Sequence, residues 1–152
     1  MSTKFGIRLG RSGDIQDIAA IYTDSIHELC KNDYEPDTIA HWGASTPPES
    51  RLAAIEAGSL WVAEVDGSIG GYLVSVPGEL VALFIGSSYA GLGMGKALAR
   101  LGIDIAQGSG LSEVILESTI TAALFYEKLG FKETGRGYFS HGSSNIKIPV
   151  VN

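Results

Sequence analysis

Three glycines at alternate positions open a helical segment of this sequence. Gly91, Gly93 and Gly95 follow an apolar run at 80–85 and precede residues 96–107, whose apolar side chains recur with helical spacing. Glycines leave backbone N–H groups uncovered, and at the start of a helix these groups and the helix dipole together favour a bound phosphate. The first hypothesis is therefore a site for a phosphate-bearing ligand, with an ordinary flexible turn as the alternative.

Two common nucleotide-binding motifs do not fit this loop. A P-loop requires a glycine at the position of Ala90 and Ser or Thr at the position of Ala97, and the dinucleotide fingerprint requires its third glycine where Lys96 stands. The dinucleotide loop also follows the first strand of its βαβ unit, whereas this loop begins more than halfway along the chain. A nucleotide-binding α/β domain is therefore disfavoured and stays a competing hypothesis.

The loop resembles the coenzyme A loop of the GNAT superfamily of acyl-CoA-dependent N-acyltransferases. That signature is Gln or Arg, two residues, Gly, one residue, then Gly or Ala, and residues 90–95 here read Ala-Gly-Leu-Gly-Met-Gly. Ala90 replaces the leading Gln or Arg. One side-chain contact to the pyrophosphate is therefore missing, while every backbone donor remains.

A second motif resembles the same family. Residues 119–131 read Thr-Ile-Thr-Ala-Ala-Leu-Phe-Tyr-Glu-Lys-Leu-Gly-Phe and are similar to the family's Asn-x-x-Ala-x-x-Phe-Tyr-x-Lys-x-Gly-Phe, with Thr119 in place of Asn. The resemblance covers about 79–131. It implies a coenzyme A site built from the strand, the loop and the next helix: Leu83, Ile85, Gly91, Leu92, Gly93, Met94, Gly95, Lys96, Thr119, Ala122, Phe125 and Tyr126.

The resemblance implies that a primary amine directly attacks acetyl-CoA, the acetyl donor. Tyr126 is then the general acid for the departing thiolate, because a tyrosine, with a pKa of about 10, lies within about two units of a thiol. The backbone N–H of Leu83 polarises the acetyl carbonyl, and Glu79 takes the proton of the amine. The even spacing predicts that Glu79 and Leu83 share one face of a strand. Roughly 13 Å of strand separates them, so Glu79 is expected to act through a water, with a strand bulge shortening the gap.

Each of these residues also has a structural interpretation. Tyr126 would be a helix residue packed on the sheet, Glu79 a solvated residue at a strand start, Lys96 a solvated lysine, and Thr119 the N-cap of its helix. A catalytically inactive acyl-CoA sensor of the same fold is the main alternative function.

The amine acceptor is not identified by the sequence. The resemblance would put the acceptor site near Tyr34, His41 and Trp42, although packing or surface roles explain these residues as well. Protein lysines, peptide N-termini and small amines all stay open.

Composition limits the class of protein. The 152 residues suit one domain, 5–152, with 45% hydrophobic and 18% charged residues. The apolar stretches are too short to span a membrane and no signal peptide precedes the first strand, so a cytoplasmic protein is expected. One cysteine, Cys30, and three scattered histidines predict no metal site. The net charge of −6 argues against a nucleic-acid partner and mildly favours a cationic acceptor. Oligomeric state is open, a homodimer included.

The order of elements predicts an α/β fold. Helices are expected at 15–30, 36–42, 48–57, 96–107 and 119–129, and strands at 5–9, 60–65, 69–76, 79–85, 113–117, 131–139 and 146–150. The resemblance implies a GNAT fold with a mixed central sheet of about seven strands and helices on both faces. Its fourth and fifth strands are parallel and splay apart to admit the pantetheine arm of coenzyme A.

Overall fold

The computed structural model describes residues 5–43, 50–108, 110, 113–119, 121–133, 136–140 and 147–151. Its strands are β1 (Gly6–Leu9), β2 (Leu60–Val65), β3 (Ser68–Val76), β4 (Glu79–Ile85), β5 (Ile115–Leu116), β6 (Ser118–Thr119), β7 (Arg136–Ser140) and β8 (Lys147–Val151). Its helices are α1 (Ile15–Asp24), α2 (Pro36–Gly43), α3 (Ser50–Glu56), α4 (Met94–Gln107) and α5 (Ala123–Lys128). A π-helical segment, Ser25–Leu29, continues α1. Residues 141–145, which connect the last two predicted strands, lie outside the described residues.

The strands form two sheets, where the sequence predicts one sheet of about seven strands. The first has the order β1-β2-β3-β4-β5 and the second β6-β8-β7. The strand predicted at 113–117 is confirmed only as the shorter β5, which pairs with β4; the sequence does not predict β6, which begins two residues after β5 ends and pairs with β8. Glu117 is thus the point at which the chain passes from one sheet to the other. The predicted parallel pairing of the fourth and fifth strands is confirmed.

Helices cover both faces of the five-stranded sheet, as predicted. Successive side chains of a strand point to opposite faces, so Val62 and Tyr72 pack with α1 while the neighbouring Ala63 and Leu73 pack with α4. The first hydrophobic cluster is therefore the α1 side of the sheet and the second the α4 side. Cys30 is buried on the α1 side, and this burial raises the pKa of its thiol.

Helix α4 lies unusually close to the sheet. A Cβ built on Gly102 would be 2.9 Å from Leu73 and 3.1 Å from Leu80, so only glycine fits without a shift of these neighbours. The hydroxyl of Ser75, buried in β3, donates a 2.7 Å hydrogen bond to the carbonyl oxygen of Gly102. The axial position of α4, and with it the position of its N-terminus, is held by this contact.

An ionic network joins β1, β2 and the start of α1. The guanidinium of Arg8 donates two hydrogen bonds, of 2.8 and 3.0 Å, to the carboxylate of Asp14 and also contacts Glu64. The backbone N–H of Arg11 donates a third, of 2.8 Å, to Asp14. Hydrogen bonding from Arg8 holds the pKa of the buried Asp14 below its ordinary value.

Replacement of Asp14 should change how stability depends on pH. A carboxyl whose pKa is lower in the folded protein stabilises it above the unfolded pKa of about 4, and this contribution is lost as pH falls through the folded value. Asp14→Asn should therefore lower the unfolding free energy by roughly 1–3 kcal/mol at pH 7, and the deficit should shrink below about pH 4. Urea unfolding at a series of pH values measures this, with the replacement of an exposed residue of α4, Asp104→Asn, as the control. A deficit that does not change with pH would contradict the assignment.

Candidate functional site

Strand β4 has an open edge over most of its length. The parallel partner β5 pairs only with Glu79 and Leu80, so residues 81–85 have no strand beside them on that side among the described residues. Gly86 donates a 2.8 Å backbone hydrogen bond to Gly70 of β3. Because backbone groups alternate sides along a strand, those of Leu83 and Ile85 point away from β3 and toward the open edge. A ligand chain can therefore pair with these two residues.

A bulge at Val81 reverses the alternation of side chains in β4. Val74 of β3 pairs with Ala82 and Ser75 pairs with Leu80, so Val81 is the extra residue. Leu80 consequently joins Leu83 on the α4 side of the sheet. The predicted bulge is confirmed, but Glu79 does not share a face with Leu83 as the even spacing suggests. Because neighbouring side chains of a strand point to opposite faces, the side chain of Glu79 points away from the face of Leu80 and lies on the α1 side of the sheet.

The glycine loop presents backbone N–H groups to open space. Gly91 and Gly93 have φ values of +81° and +83°, which favour glycine, and no heavy atom lies within 4 Å of a Cβ built on either. Gly93 is the N-cap of α4, and no side chain caps the helix. The N–H groups of the first helical turn at Met94, Gly95 and Lys96 therefore lack intrahelical partners, which suits an anion.

The loop, the edge strand and α5 meet at Gly95. A Cβ on Gly95 would be 3.6 Å from Ile85 and 3.8 Å from the ring of Phe125, so a larger side chain would fill the space between these elements. Phe125 stacks edge-to-face on Tyr126, with ring centroids 5.1 Å apart. Leu83, Ile85, Ala122, Phe125 and Tyr126 belong to the same cluster on the α4 side of the sheet. The structure thus brings these five predicted cofactor residues together.

A cavity of about 500 Å³ lies between β5 and α5, and both predicted acid–base residues line it. Its lining combines apolar side chains with four glutamates: Glu79, Val114, Ile115, Leu116, Glu117, Ser118, Ala123, Tyr126, Glu127, Phe131, Lys132 and Glu133. Glu117, Glu127 and Glu133 are not among the predicted site residues. The concentration of carboxylates around the second motif is the only sequence signal that would have suggested them.

Tyr126 is 6% exposed at the wall of this cavity. Burial raises the pKa of its hydroxyl above the ordinary range, because the phenolate would lose its hydration. The hydroxyl is therefore protonated at every physiological pH and can donate a hydrogen bond. The difference between the pKa of Tyr126 and that of a thiol is therefore larger than the roughly two units expected from the sequence.

The remaining predicted cofactor residues have mixed surroundings. Met94 is completely buried, so only its backbone can face a ligand, whereas Leu92 and Lys96 are exposed. Thr119 caps the turn before α5, since its side-chain oxygen accepts a 3.1 Å hydrogen bond from the N–H of Ala122. This turn also explains why α5 begins at Ala123, four residues later than predicted.

Of the three predicted acceptor residues, the structure describes the side chain of Tyr34 alone, and this side chain does not line the cavity. Tyr34 is buried in the cluster on the α1 side of the sheet. The backbone of His41 and Trp42 lies in α2, and their side chains are outside the described residues. Within the described ranges, no group of three or more His, Cys, Asp and Glu residues could hold a metal ion. No helix of these ranges is both long and apolar enough to cross a membrane.

Comparison with known families agrees with this geometry. Residues 30–148 match the family model described as an acetyltransferase (GNAT) domain, which is most of the chain. The chain belongs to the GNAT acetyltransferase family. The α/β architecture, the parallel β4–β5 pair and the glycine loop are therefore those of a GNAT domain.

Curated relatives of this GNAT domain are N-acetyltransferases. The chain is 34% identical to N-acetyltransferase 8 from Homo sapiens over 111 residues, which cover 64% of this chain and 49% of that protein. It spans about half the length of this relative. It is also 30% identical to the peptidyl-lysine N-acetyltransferase YjaB from Salmonella typhimurium over 134 residues, with 86% and 85% of the two chains covered.

Solved structures share the GNAT fold over nearly the whole chain. A GCN5-related N-acetyltransferase from Rhodopseudomonas palustris has a TM-score of 0.86 at 22% identity, with 99% of this chain and 95% of that chain covered. The PaiA N-acetyltransferase from Thermoplasma acidophilum, solved in complex with coenzyme A, has a TM-score of 0.68 at 17% identity, with 97% and 98% covered. At these identities the likeness establishes the fold.

The conformation of the GNAT glycine loop gives a direct test of its role. Gly93→Val should abolish measurable coenzyme A binding in calorimetry, because a β-branched residue resists a φ of +83° and the turn must change shape. Gly58→Val is the matched control: Gly58 has a φ of +74°, also in open space, but lies in the turn before β2. Equal loss of affinity in both variants, or none in Gly93→Val, would contradict a binding role for the loop.

Proposed function

We propose that this GNAT domain transfers an acetyl group from acetyl-CoA to a primary amine. The observation that carries the proposal is the open edge of β4, which runs from the glycine loop toward the cavity that contains Glu79 and Tyr126. Coenzyme A has a pyrophosphate for the loop and an extended amide chain for the edge. ATP and NAD, the ligands of the competing nucleotide-binding hypothesis, have phosphates but no extended amide chain.

Coenzyme A is proposed to bind in two parts. Its pyrophosphate accepts hydrogen bonds from N–H groups of the loop and of the first turn of α4, which lack a side-chain cap. Its pantetheine arm pairs with the backbone of Leu83 and Ile85 as an added strand would. The relative solved with coenzyme A supports this cosubstrate. No metal ion takes part in the proposed reaction.

The reaction is a direct transfer. The neutral amine nitrogen attacks the acetyl carbon, forming a C–N bond, and the carbonyl oxygen takes up negative charge near the N–H of Leu83. The C–S bond then breaks and the thiolate leaves, and the second proton of the attacking nitrogen passes to the thiolate, so that the products are a neutral amide and the thiol of coenzyme A. The proton lost by the ammonium passes to Glu79, through water, because the bulge directs Glu79 to the opposite face from Leu83.

Tyr126 is proposed to stabilise the leaving thiolate. With a raised pKa, its hydroxyl is a weak acid but a good hydrogen-bond donor. We therefore infer that it donates a hydrogen bond as charge develops on sulfur, and that the thiolate takes a proton as it leaves the site. This role requires that the hydroxyl face the cavity beside the thioester.

The acceptor is proposed to carry positive charge. Four glutamates and one lysine line the cavity, and the chain has a net charge of −6. The name of the peptidyl-lysine relative supports a lysine side chain as one acceptor. A cytoplasmic location stays a prediction, and the oligomeric state stays open.

A sensor without catalysis is the second candidate, favoured by two departures from the family motifs. Ala90 cannot contact the pyrophosphate with its side chain, and the hydroxyl of Thr119 is engaged in a turn. Thiol release from acetyl-CoA, measured against a panel of lysine peptides, N-terminal peptides and small amines, separates the two. Coenzyme A binding without amine-dependent thiol release from any member would favour the sensor.

Tyr126→Phe should slow turnover without weakening binding. The change removes only the hydroxyl, so kcat should fall roughly 10²-fold while calorimetry gives an unchanged affinity for acetyl-CoA. Because the pKa of Tyr126 is raised, wild-type kcat should show no basic limb from this residue below about pH 10. Tyr72→Phe, which removes a fully buried hydroxyl on the other face of the sheet, is the control. A kcat in Tyr126→Phe equal to that of the wild type would show that Tyr126 only packs against the sheet and does not take part in the reaction.

Glu79→Gln should lower kcat and remove the acid limb of the pH–rate profile. The amide has nearly the same shape but cannot accept the proton of the amine. Affinity for acetyl-CoA should be unchanged, since the expected role concerns the acceptor. Glu113→Gln, an exposed glutamate just before β5 that does not line the cavity, serves as the control. An acid limb that persists in Glu79→Gln would assign the base to another residue.

A further inference from the structure

The last residue of α1 is hydrogen-bonded to the chain just after β4. The carboxylate of Asp24 accepts a 2.6 Å hydrogen bond from the backbone N–H of Ser87 and a 2.9 Å hydrogen bond from its hydroxyl. The two residues are 63 positions apart. Neither belongs to the predicted site. Both oxygens of one carboxylate therefore hold a single residue at the end of the edge strand.

Ser87 begins the turn that leads into the glycine loop. Residues Ser87–Tyr89 form a single 3₁₀ turn between β4 and the loop. The carboxylate of Asp24 thus lies at the N-terminus of this turn, where an anion satisfies a free N–H group. Just before the turn, the backbone N–H of Gly86 donates a hydrogen bond to the carbonyl oxygen of Gly70 in β3. The turn is held both by the sheet and by α1.

Close packing leaves this turn little freedom to shift. A Cβ on Gly86 would be 2.9 Å from Ile21 of α1, and a Cβ on Gly70 would be 2.8 Å from the ring of Tyr89. Residues with larger side chains would separate the turn from the helix and the strand. The contact of Asp24 with Ser87 is therefore the polar part of a tightly packed junction.

The loop beyond the turn has no comparable support of its own. Gly91 and Gly93 have open space around them, and the next anchored residue is the fully buried Met94. The direction in which the loop N–H groups point is consequently set by its two ends. One end is Met94 in the core, and the other is the turn that Asp24 holds.

We propose that Asp24 is a positioning residue for the donor: it holds the turn Ser87–Tyr89 so that the glycine loop presents its N–H groups to the pyrophosphate of coenzyme A. The inference rests on the proposed function. Asp24 is negatively charged, as is the pyrophosphate, but it favours binding because it holds the loop in the right position. Because Asp24 ends α1, it also connects the loop to the α1 side of the sheet, toward which Glu79 is directed.

The experiment compares Asp24→Ala, Asp24→Asn and Ser87→Ala by calorimetry with coenzyme A. Asp24→Ala loses both hydrogen bonds and should bind roughly tenfold or more weakly, the size of a lost hydrogen bond to a charged group. Ser87→Ala keeps the bond to the backbone N–H and should lose less. Asp24→Asn can still accept from the N–H and donate to the hydroxyl, so it should stay within roughly threefold of wild type. A purely electrostatic role would instead make both neutral Asp24 variants bind more tightly.

A truncated donor separates positioning from general destabilisation. S-Acetylpantetheine has the thioester and the amide arm but no pyrophosphate, so Asp24→Ala should lower kcat/KM for acetyl-CoA and leave that for S-acetylpantetheine unchanged. Val62→Ala, which removes part of a fully buried side chain in β2, a strand that does not neighbour β4, is the control for lost stability and should not change the affinity for coenzyme A. If Asp24→Ala binds coenzyme A as wild type does, or loses activity equally with both donors, the inference is wrong. If wild type itself does not bind coenzyme A, it is the proposed function that fails.

Discussion

In the part of the chain that the structure describes, the backbone of β4 beyond Leu80 is paired with a strand on one side only. Buried backbone N–H and C=O groups need partners, so a strand inside a sheet normally has a neighbour on each side. Here β5 diverges after two residue pairs, and the bulge at Val81 separates the paired start of β4 from its free part. The free groups of Leu83 and Ile85 form a ready surface for an extended amide chain. The remaining elements of the site depend on keeping this edge open.

An open edge stays useful only if the elements around it do not collapse onto it. Helix α4 is held against β3 by Gly102 and the hydrogen bond from Ser75, and α1 is held against the end of β4 through Asp24 and Ser87. These two junctions lie on opposite faces of the sheet. The glycine loop spans the space between them, so its flexible residues are carried by a rigid frame.

Sequence reasoning predicts well those features that depend on neighbours along the chain. The glycine loop and the β2–β3 hairpin follow from local backbone preference, and Asp66 and Gly67 have the positive φ values that such a turn requires. The sheet break at Glu117 could not be predicted, because it depends on which distant strands compete for β5 and β6. The contact of Asp24 with Ser87 joins residues with no shared motif, and only the fold brings them together.

A single extra residue, Val81, changes the face of β4 on which Glu79 was expected to lie. Counting from Leu83 puts Glu79 on the same face, but one inserted residue at Val81 reverses the alternation. The side chain of Glu79, the proposed base, then lies on the opposite face from that of Leu83, while the backbone N–H of Leu83, the proposed donor to the acetyl carbonyl, points to the open edge. With these roles, acetyl-CoA would approach from the open edge of β4 and the amine from the face on which Glu79 lies.

A crystal structure with coenzyme A bound would test the central claim most directly. We expect the amides of the pantetheine arm to hydrogen-bond to the backbone of Leu83 and Ile85, with β5 still paired to β4 only at Glu79 and Leu80. The sulfur would lie beside the hydroxyl of Tyr126. A bound coenzyme A whose arm does not touch the edge of β4, or a structure in which β5 closes along that edge, would contradict the account.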